Sequence, residues 1–200
     1  MGTLFVISSP SGGGKTTVIR LLLEYFENLT YSISATTRSA RLGEEDAKDY
    51  FFMSEKEFLR KGKQKYFLET AEVFNHKYGT PRDYVLNKNK AGFDVILDID
   101  VQGAIQIKKN YPAVLIFLLP PALPELRKRL KNRGLDTPDS IELRLKEAKA
   151  ELKYVGKYDY VIPSADVETT FQTVKAIIQA EHCKSERNVD MCKSAVKNFY

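Results

Sequence analysis

The chain has 200 residues, 43% hydrophobic and 28% charged, which suits one compact unit with a sizeable core, or one core carrying inserted lobes. A formal net charge of +5 permits nucleic-acid binding without arguing for it, and reads as a solvated surface or as counter-charge for phosphate chemistry. Neither cysteine, Cys183 or Cys192, has zinc-ligand spacing, and no apolar run reaches the roughly 20 residues that span a bilayer.

Two lone cysteines fit a reducing compartment, and the N-terminus lacks the charged region of a signal peptide. Val6 stands where a myristoylation signal needs Ser or Thr. The expected setting is the cytoplasm, with no membrane or nucleic-acid partner, as a monomer or homodimer.

In chain order, Thr3–Ser8 predicts a buried strand, followed by Ser9, Pro10, Ser11, Gly12, Gly13, Gly14, Lys15, Thr16 and Thr17. This nearly matches the phosphate-loop pattern G-x-x-x-x-G-K-[ST], with Ser9 at the first glycine position. From Lys15, Val18, Leu21, Leu22, Tyr25 and Phe26 recur at helical spacing. Strand, glycine-rich turn and helix together make a nest of backbone N–H groups for nucleotide phosphates at the positive end of the helix. Lys15 would reach the β- and γ-phosphates and the Thr16 hydroxyl would meet Mg²⁺. The first motif position ends the strand and chiefly needs a small side chain, which serine provides.

Residues 34–81 leave this pattern. They are polar, with short alternating runs and a capping box from Ser54 to Glu57, and predict an inserted α+β lobe. Arg38 and Arg41, with Glu44 and Tyr50 beyond them, offer two guanidinium forks suited to a phosphate monoester. Glu69, Tyr78 and Thr80 complete a second polar set opposite the first.

Apolar runs at Phe93–Ile99 and Val114–Leu119 predict strands buried on both faces, with a shorter one at Tyr158–Ile162. Helical patterns at 101–110 and 138–155 alternate with them, which predicts an α/β fold with a parallel sheet flanked by helices. Asp98 and Asp100 fall at the carboxyl end of the first of these strands, where ligands of such sheets bind, and period-2 geometry points both the same way. One would serve the metal and the other a substrate.

Residues 125–145 form a second insert: a basic helix, a turn at 133–136, then a helix opening on Pro138. Arg133 and Arg144 are placed to supply cations to a transferring phosphoryl group. The core takes 1–33, 82–124 and 146–180, and from 181 onward the pattern fades into a polar tail.

The segments SSPSGGGKTT, YSISATTRSARLGE, DYFF, FLET, YGT, VILDIDVQG, LLPP, RLKNRG and RLKEAKAEL, in this order over about 1–180, resemble the guanylate kinase family. The resemblance implies a phosphate-loop core, a GMP-binding lobe and a helical lid, and the reaction MgATP + GMP ⇌ ADP + GDP of purine nucleotide metabolism. Carried onto this chain, it implies that Ser34, Arg38, Arg41, Tyr50 and Tyr78, with Glu44 beside them, hold the GMP phosphate. Glu69, Thr80 and Asp100 would read guanine. Lys15 and Thr16 would hold ATP phosphates and Mg²⁺, Asp98 the metal side, and Arg133 with Arg144 would close from the lid. The chain departs from the family at Ser9, usually Gly or Ala, and at Pro163-Ser164, commonly Val-Asn.

Guanine presents N1–H and the 2-amino group as adjacent donors, which carboxylates at Glu69 and Asp100 can accept. Adenine would leave them unpaired, a contrast able to reject the wrong nucleotide by on the order of 10⁴-fold. Two other functions use the same fold. A guanylate-kinase-like interaction domain typically lacks the phosphate-loop lysine and glycines, which this chain keeps. A phosphate-loop kinase for another phosphorylated substrate would have no use for Glu69 with Asp100.

Overall fold

The computed structural model describes residues 1–132 and 137–199. The chain opens with β1 (Leu4–Ser8), all five residues buried, then α1 (Lys15–Tyr25) and the short β2 (Leu29–Tyr31). Next come β3 (Ala35–Thr36), β4 (Phe51–Phe52), α2 (Glu55–Lys63), β5 (Phe67–Val73) and β6 (His76–Pro81). Then follow α3 (Arg82–Lys90), β7 (Asp94–Asp98), α4 (Val101–Asn110) and β8 (Ala113–Leu119). The chain finishes with α5 (Leu123–Asn132), α6 (Pro138–Glu151), β9 (Tyr160–Pro163), α7 (Val167–His182) and α8 (Val189–Phe199).

Five strands form a parallel sheet in the order β2-β7-β1-β8-β9. Alternation along β1 sends Phe5 and Ile7 to a layer shared with Leu22 of α1 and Val174 of α7. Leu4 and Val6 face the opposite layer, with Val85 of α3 and Ala104 and Ile107 of α4. Both faces of the sheet are covered, as parallel strands require. The carboxyl ends of β1 and β7 open on one side, and β1 runs straight into the glycine-rich turn.

The four-stranded sheet β4-β3-β6-β5 lies entirely within residues 35–81. Its α2 starts where the Ser54 hydroxyl accepts from the Glu57 N–H at 3.2 Å. The helices α5 and α6 bury their own small apolar cluster of Leu126, Leu130, Ile141, Leu145 and Ala148. Thr137 caps α6 and Pro138 fills its first position.

Several boundaries differ from the sequence reading. The strand expected at 158–162 runs Tyr160–Pro163, with a 3-10 segment at Leu152–Lys157 ending the helix expected to reach 155. Pro163 belongs to β9, which has a neighbour only on its β8 side; an edge strand tolerates a missing N–H. The basic helix expected from 125 begins at Leu123. The tail is helical: α7 reaches His182 and α8 follows. Val189, Cys192 and Val196 of α8 recur at three- and four-residue spacing, a short signal interrupted by Asp190, Lys193 and Ser194. No helix among the described residues is long and apolar enough to cross a membrane.

Candidate active site

The turn after β1 holds its shape through three glycines with two different duties. Gly12 (φ 88°) and Gly14 (φ 90°) sit in the left-handed region, and Gly14 caps α1. Gly13 is needed for space, since a Cβ there would fall 2.5 Å from Ser9 Oγ and 2.9 Å from the Pro10 carbonyl. Ser9 is not among the described residues with positive φ, so its position makes no demand that only glycine meets. Its carbonyl accepts from Lys15 Nζ at 2.8 Å, and its hydroxyl donates to the Pro10 carbonyl at 3.1 Å.

Lys15 also lies 3.7 Å from Asp98 Oδ1 at the end of β7. Burial pushes the Asp98 carboxyl up from the ordinary aspartate value, and the lysine charge pulls it back. Thr16 and Thr17, in the first turn of α1, are exposed at the mouth of the same cavity. That cavity, about 520 Å³, extends from the glycine turn to the four-stranded sheet.

On the far wall, Arg38 forks onto Glu44 with two bonds of 2.9 Å, and Glu44 also accepts the Arg41 N–H at 2.8 Å. The Arg38 guanidinium stands 5.3 Å from the Tyr50 ring, which meets Tyr78 edge-on. Burial pushes the Tyr50 hydroxyl up to about 12, so it stays a hydrogen-bond donor at neutral pH. Ser34, Arg38, Arg41, Tyr50 and Tyr78 all line the cavity. Glu44 does not; it holds the two arginines in place from behind.

Deeper in, Glu69 is 4% exposed and accepts from the Thr80 hydroxyl at 2.7 Å. Burial lifts its carboxyl to about 7, with the Thr80 bond opposing and Asp100 adding. Thr80 itself is fully buried and reaches the cavity only through Glu69. Asp100 corrects the period-2 expectation: β7 ends at Asp98, and Asp100 is the N-cap of α4, accepting from the Gly103 N–H at 3.0 Å. It still faces the cavity beside Glu69 because α4 begins against β5. Gly103 makes that approach possible, since a Cβ would fall 2.5 Å from Glu69 Oε2. Burial raises the Asp100 carboxyl, and bonds from Gly103 and Gln102 lower it.

From the α5–α6 side, Arg144 donates to Ser11 Oγ at 2.9 Å, which brings it to the glycine turn. Arg133 lies outside the described residues. Six lining residues escaped the sequence reading: the apolar Ala71, Val73, Phe74 and Ile99, and the charged Arg129 and Glu151. Arg129, one of several basic residues in its helix and given no role in the sequence reading, donates to the Ala165 carbonyl at 2.8 Å and lines the cavity. Glu151 Oε2 is buried with no hydrogen-bond partner among the described residues, and burial lifts this carboxyl too to about 7. Phe74, at the β5–β6 turn, carries no motif signal at all. Ser164, at the Pro163-Ser164 departure, is buried with its hydroxyl 3.2 Å from the Gly13 carbonyl, so serine there ties β9 to the glycine turn.

The guanylate kinase family model matches residues 1–181. Among its relatives, the chain is 49% identical to the guanylate kinase of Caldanaerobacter subterraneus subsp. tengcongensis, over 95% of this chain and 93% of that one. It is 43% identical to the guanylate kinase of Thermotoga maritima, over 94% and 92%. The crystal structure of guanylate kinase from Anaplasma phagocytophilum superposes with a TM-score of 0.79 at 39% identity, covering 93% of this chain and 89% of that one. On this match, extending through the glycine turn, both carboxylates and Arg144, the chain belongs to the guanylate kinase family.

Proposed function

We propose that this chain transfers the γ-phosphoryl group of ATP to GMP, and to dGMP, giving ADP and GDP. The observation that carries this reading is one cavity bounded at one end by the glycine turn with Lys15 and at the other by the buried Glu69 and the half-buried Asp100. We assign residues 34–81 as the GMP-binding lobe, 125–145 as the lid, and 1–33, 82–124 and 146–180 as the core.

In this account the backbone N–H groups of residues 11–16 hold the ATP phosphates, and Lys15 leaves Ser9 and Asp98 for the β- and γ-oxygens. Thr16 and Asp98 would hold Mg²⁺, which supplies charge neutralisation at the phosphates. The donor set fits that ion: a hydroxyl in the first turn of α1 and a carboxylate at the end of β7 are hard oxygen ligands for a cation that keeps waters and phosphate oxygens around it.

Arg38, Arg41, Tyr50, Tyr78 and Ser34 bind the GMP phosphate, with Glu44 keeping the Arg38 fork in register. Glu69, positioned by Thr80, and Asp100 accept guanine N1–H and N2–H. The nucleophile is a phosphate oxygen already ionised at pH 7, so no general base is required. Catalysis is alignment and charge neutralisation, with Arg144 meeting the transferring group from the lid together with Arg133.

A coupled assay offering ATP with GMP, AMP, UMP and CMP in turn tests the reading. ADP should appear with GMP at least 10³-fold faster than with any other acceptor, as expected where buried acceptors read paired donors. Equal rates with AMP would overturn the assignment of Glu69 and Asp100.

A further inference from the structure

The β5–β6 hairpin closes through Phe74 and Asn75, with Val73 paired to His76 across its base. Both central residues have positive φ, 52° and 62°, the geometry of a tight primed turn. Such turns take Asn, Asp or Gly because L side chains resist the left-handed region. Asn75 meets that preference and Phe74 violates it. A bulky aromatic held in this conformation marks strain that the surrounding structure maintains.

The reason for an aromatic there is visible across the cavity. The Arg144 guanidinium sits 4.6 Å from the centroid of the Phe74 ring while donating to Ser11 Oγ. Phe74 also lines the cavity, half-buried, between the glycine turn and the four-stranded sheet. One guanidinium is therefore held by an aromatic face from the 34–81 segment and by a hydroxyl from the phosphate turn. An aromatic face fixes a planar cation through its π surface and not through the hydrogen-bond donors.

We infer that Phe74 is a positioning residue for phosphoryl transfer: the strained tip of the β5–β6 hairpin stacks on Arg144 and fixes its guanidinium at the phosphate turn when lobe and lid come together. The inference rests on the kinase reading above. It makes hairpin and lid parts of one unit, in which GMP capture on the lobe side and arginine placement on the lid side are coupled through one ring.

A double-mutant cycle tests it. Phe74→Asn puts a residue suited to the left-handed region at the same place without an aromatic face. In the otherwise unchanged enzyme, kcat should fall roughly fivefold, a loss within the range of a cation–π contact, with KM for GMP and ATP within about twofold. In an Arg144→Ala background the same change should alter kcat by less than about 1.5-fold, because the partner is already gone. Phe74→Tyr, which keeps the ring, should restore kcat to within about twofold of the parent. The melting temperature of Phe74→Asn should not drop, since relief of backbone strain offsets lost packing.

An equal loss of kcat in both backgrounds, or no loss in either, would overturn the inference. So would a drop of several degrees in melting temperature with kcat of the folded fraction unchanged, which makes Phe74 a packing residue. Should the parent protein make no GDP from GMP, the kinase reading fails instead, and the two failures are told apart by that first measurement.

Discussion

Glu69→Gln should make the empty protein more stable and the enzyme worse at holding GMP. Glu69 is 4% exposed, and burial lifts its carboxyl from 4.5 to about 7. Because the folded-state value is the higher one, the folded chain binds more protons than the unfolded chain between pH 4.5 and 7. Stability therefore falls as pH rises through that window and is flat on either side. At about 1.4 kcal/mol per pH unit, ionising Glu69 costs the empty fold on the order of 3 kcal/mol by pH 8.

Glutamine keeps the shape, stays neutral and can still accept from Thr80, so at pH 8 the variant should melt about 8 °C higher than the parent. At pH 4.5 the two should melt together. GMP affinity should move the other way, because the charged acceptor for guanine N1–H and N2–H is lost. That loss, about 2–3 kcal/mol, is a roughly 30- to 150-fold weaker Kd by calorimetry at pH 8, with ATP affinity within about threefold. Equal melting temperatures at pH 8, or an unchanged GMP Kd, would refute the idea that a destabilising buried carboxylate is kept for guanine.

Three further outcomes can be checked by routine enzymology. Lys15→Met should abolish GDP formation while GMP still binds; near-normal turnover would contradict the assignment of Lys15 to the ATP phosphates. Gly103→Ala should displace the Glu69 carboxylate, since its Cβ would meet Oε2 at 2.5 Å, and raise KM for GMP at least tenfold while leaving KM for ATP nearly unchanged. Ser9→Gly should change kcat by less than about tenfold, because it removes only the longer Lys15 bond, 3.4 Å to Ser9 Oγ, and keeps the 2.8 Å bond to the backbone carbonyl, which any residue supplies.

Local patterns made the core legible. The apolar run of β1, the glycine turn and the spacing of Val18, Leu21 and Leu22 specify strand, phosphate loop and helix within 26 residues of chain, and the period of 101–110 matches α4 to the residue. Three-residue β2 offers too little periodicity to stand out, and α8 is a short helix at the end of a polar stretch, separated from α7 by Lys184, Ser185 and Glu186. Within the site, residue types were readable and roles were not. Glu44 and Thr80 look like ligands in sequence, but depth in the fold makes them supports for Arg38 and Glu69. Asp100 reads as a strand residue until α4 starts on it. Gly103 against Glu69 and Phe74 against Arg144 are long-range encounters that no window of sequence contains.

The central claim is that ATP and GMP lie end to end in one cavity, with the phosphates meeting between Lys15 and Arg144. An adenosine–guanosine dinucleotide joined by five phosphates measures it directly. The account predicts one molecule bound per chain, competitive with both ATP and GMP and tighter than either alone, and at least tenfold tighter than the adenosine–adenosine analogue. Competition with one substrate only, or equal binding of the two dinucleotides, would contradict it.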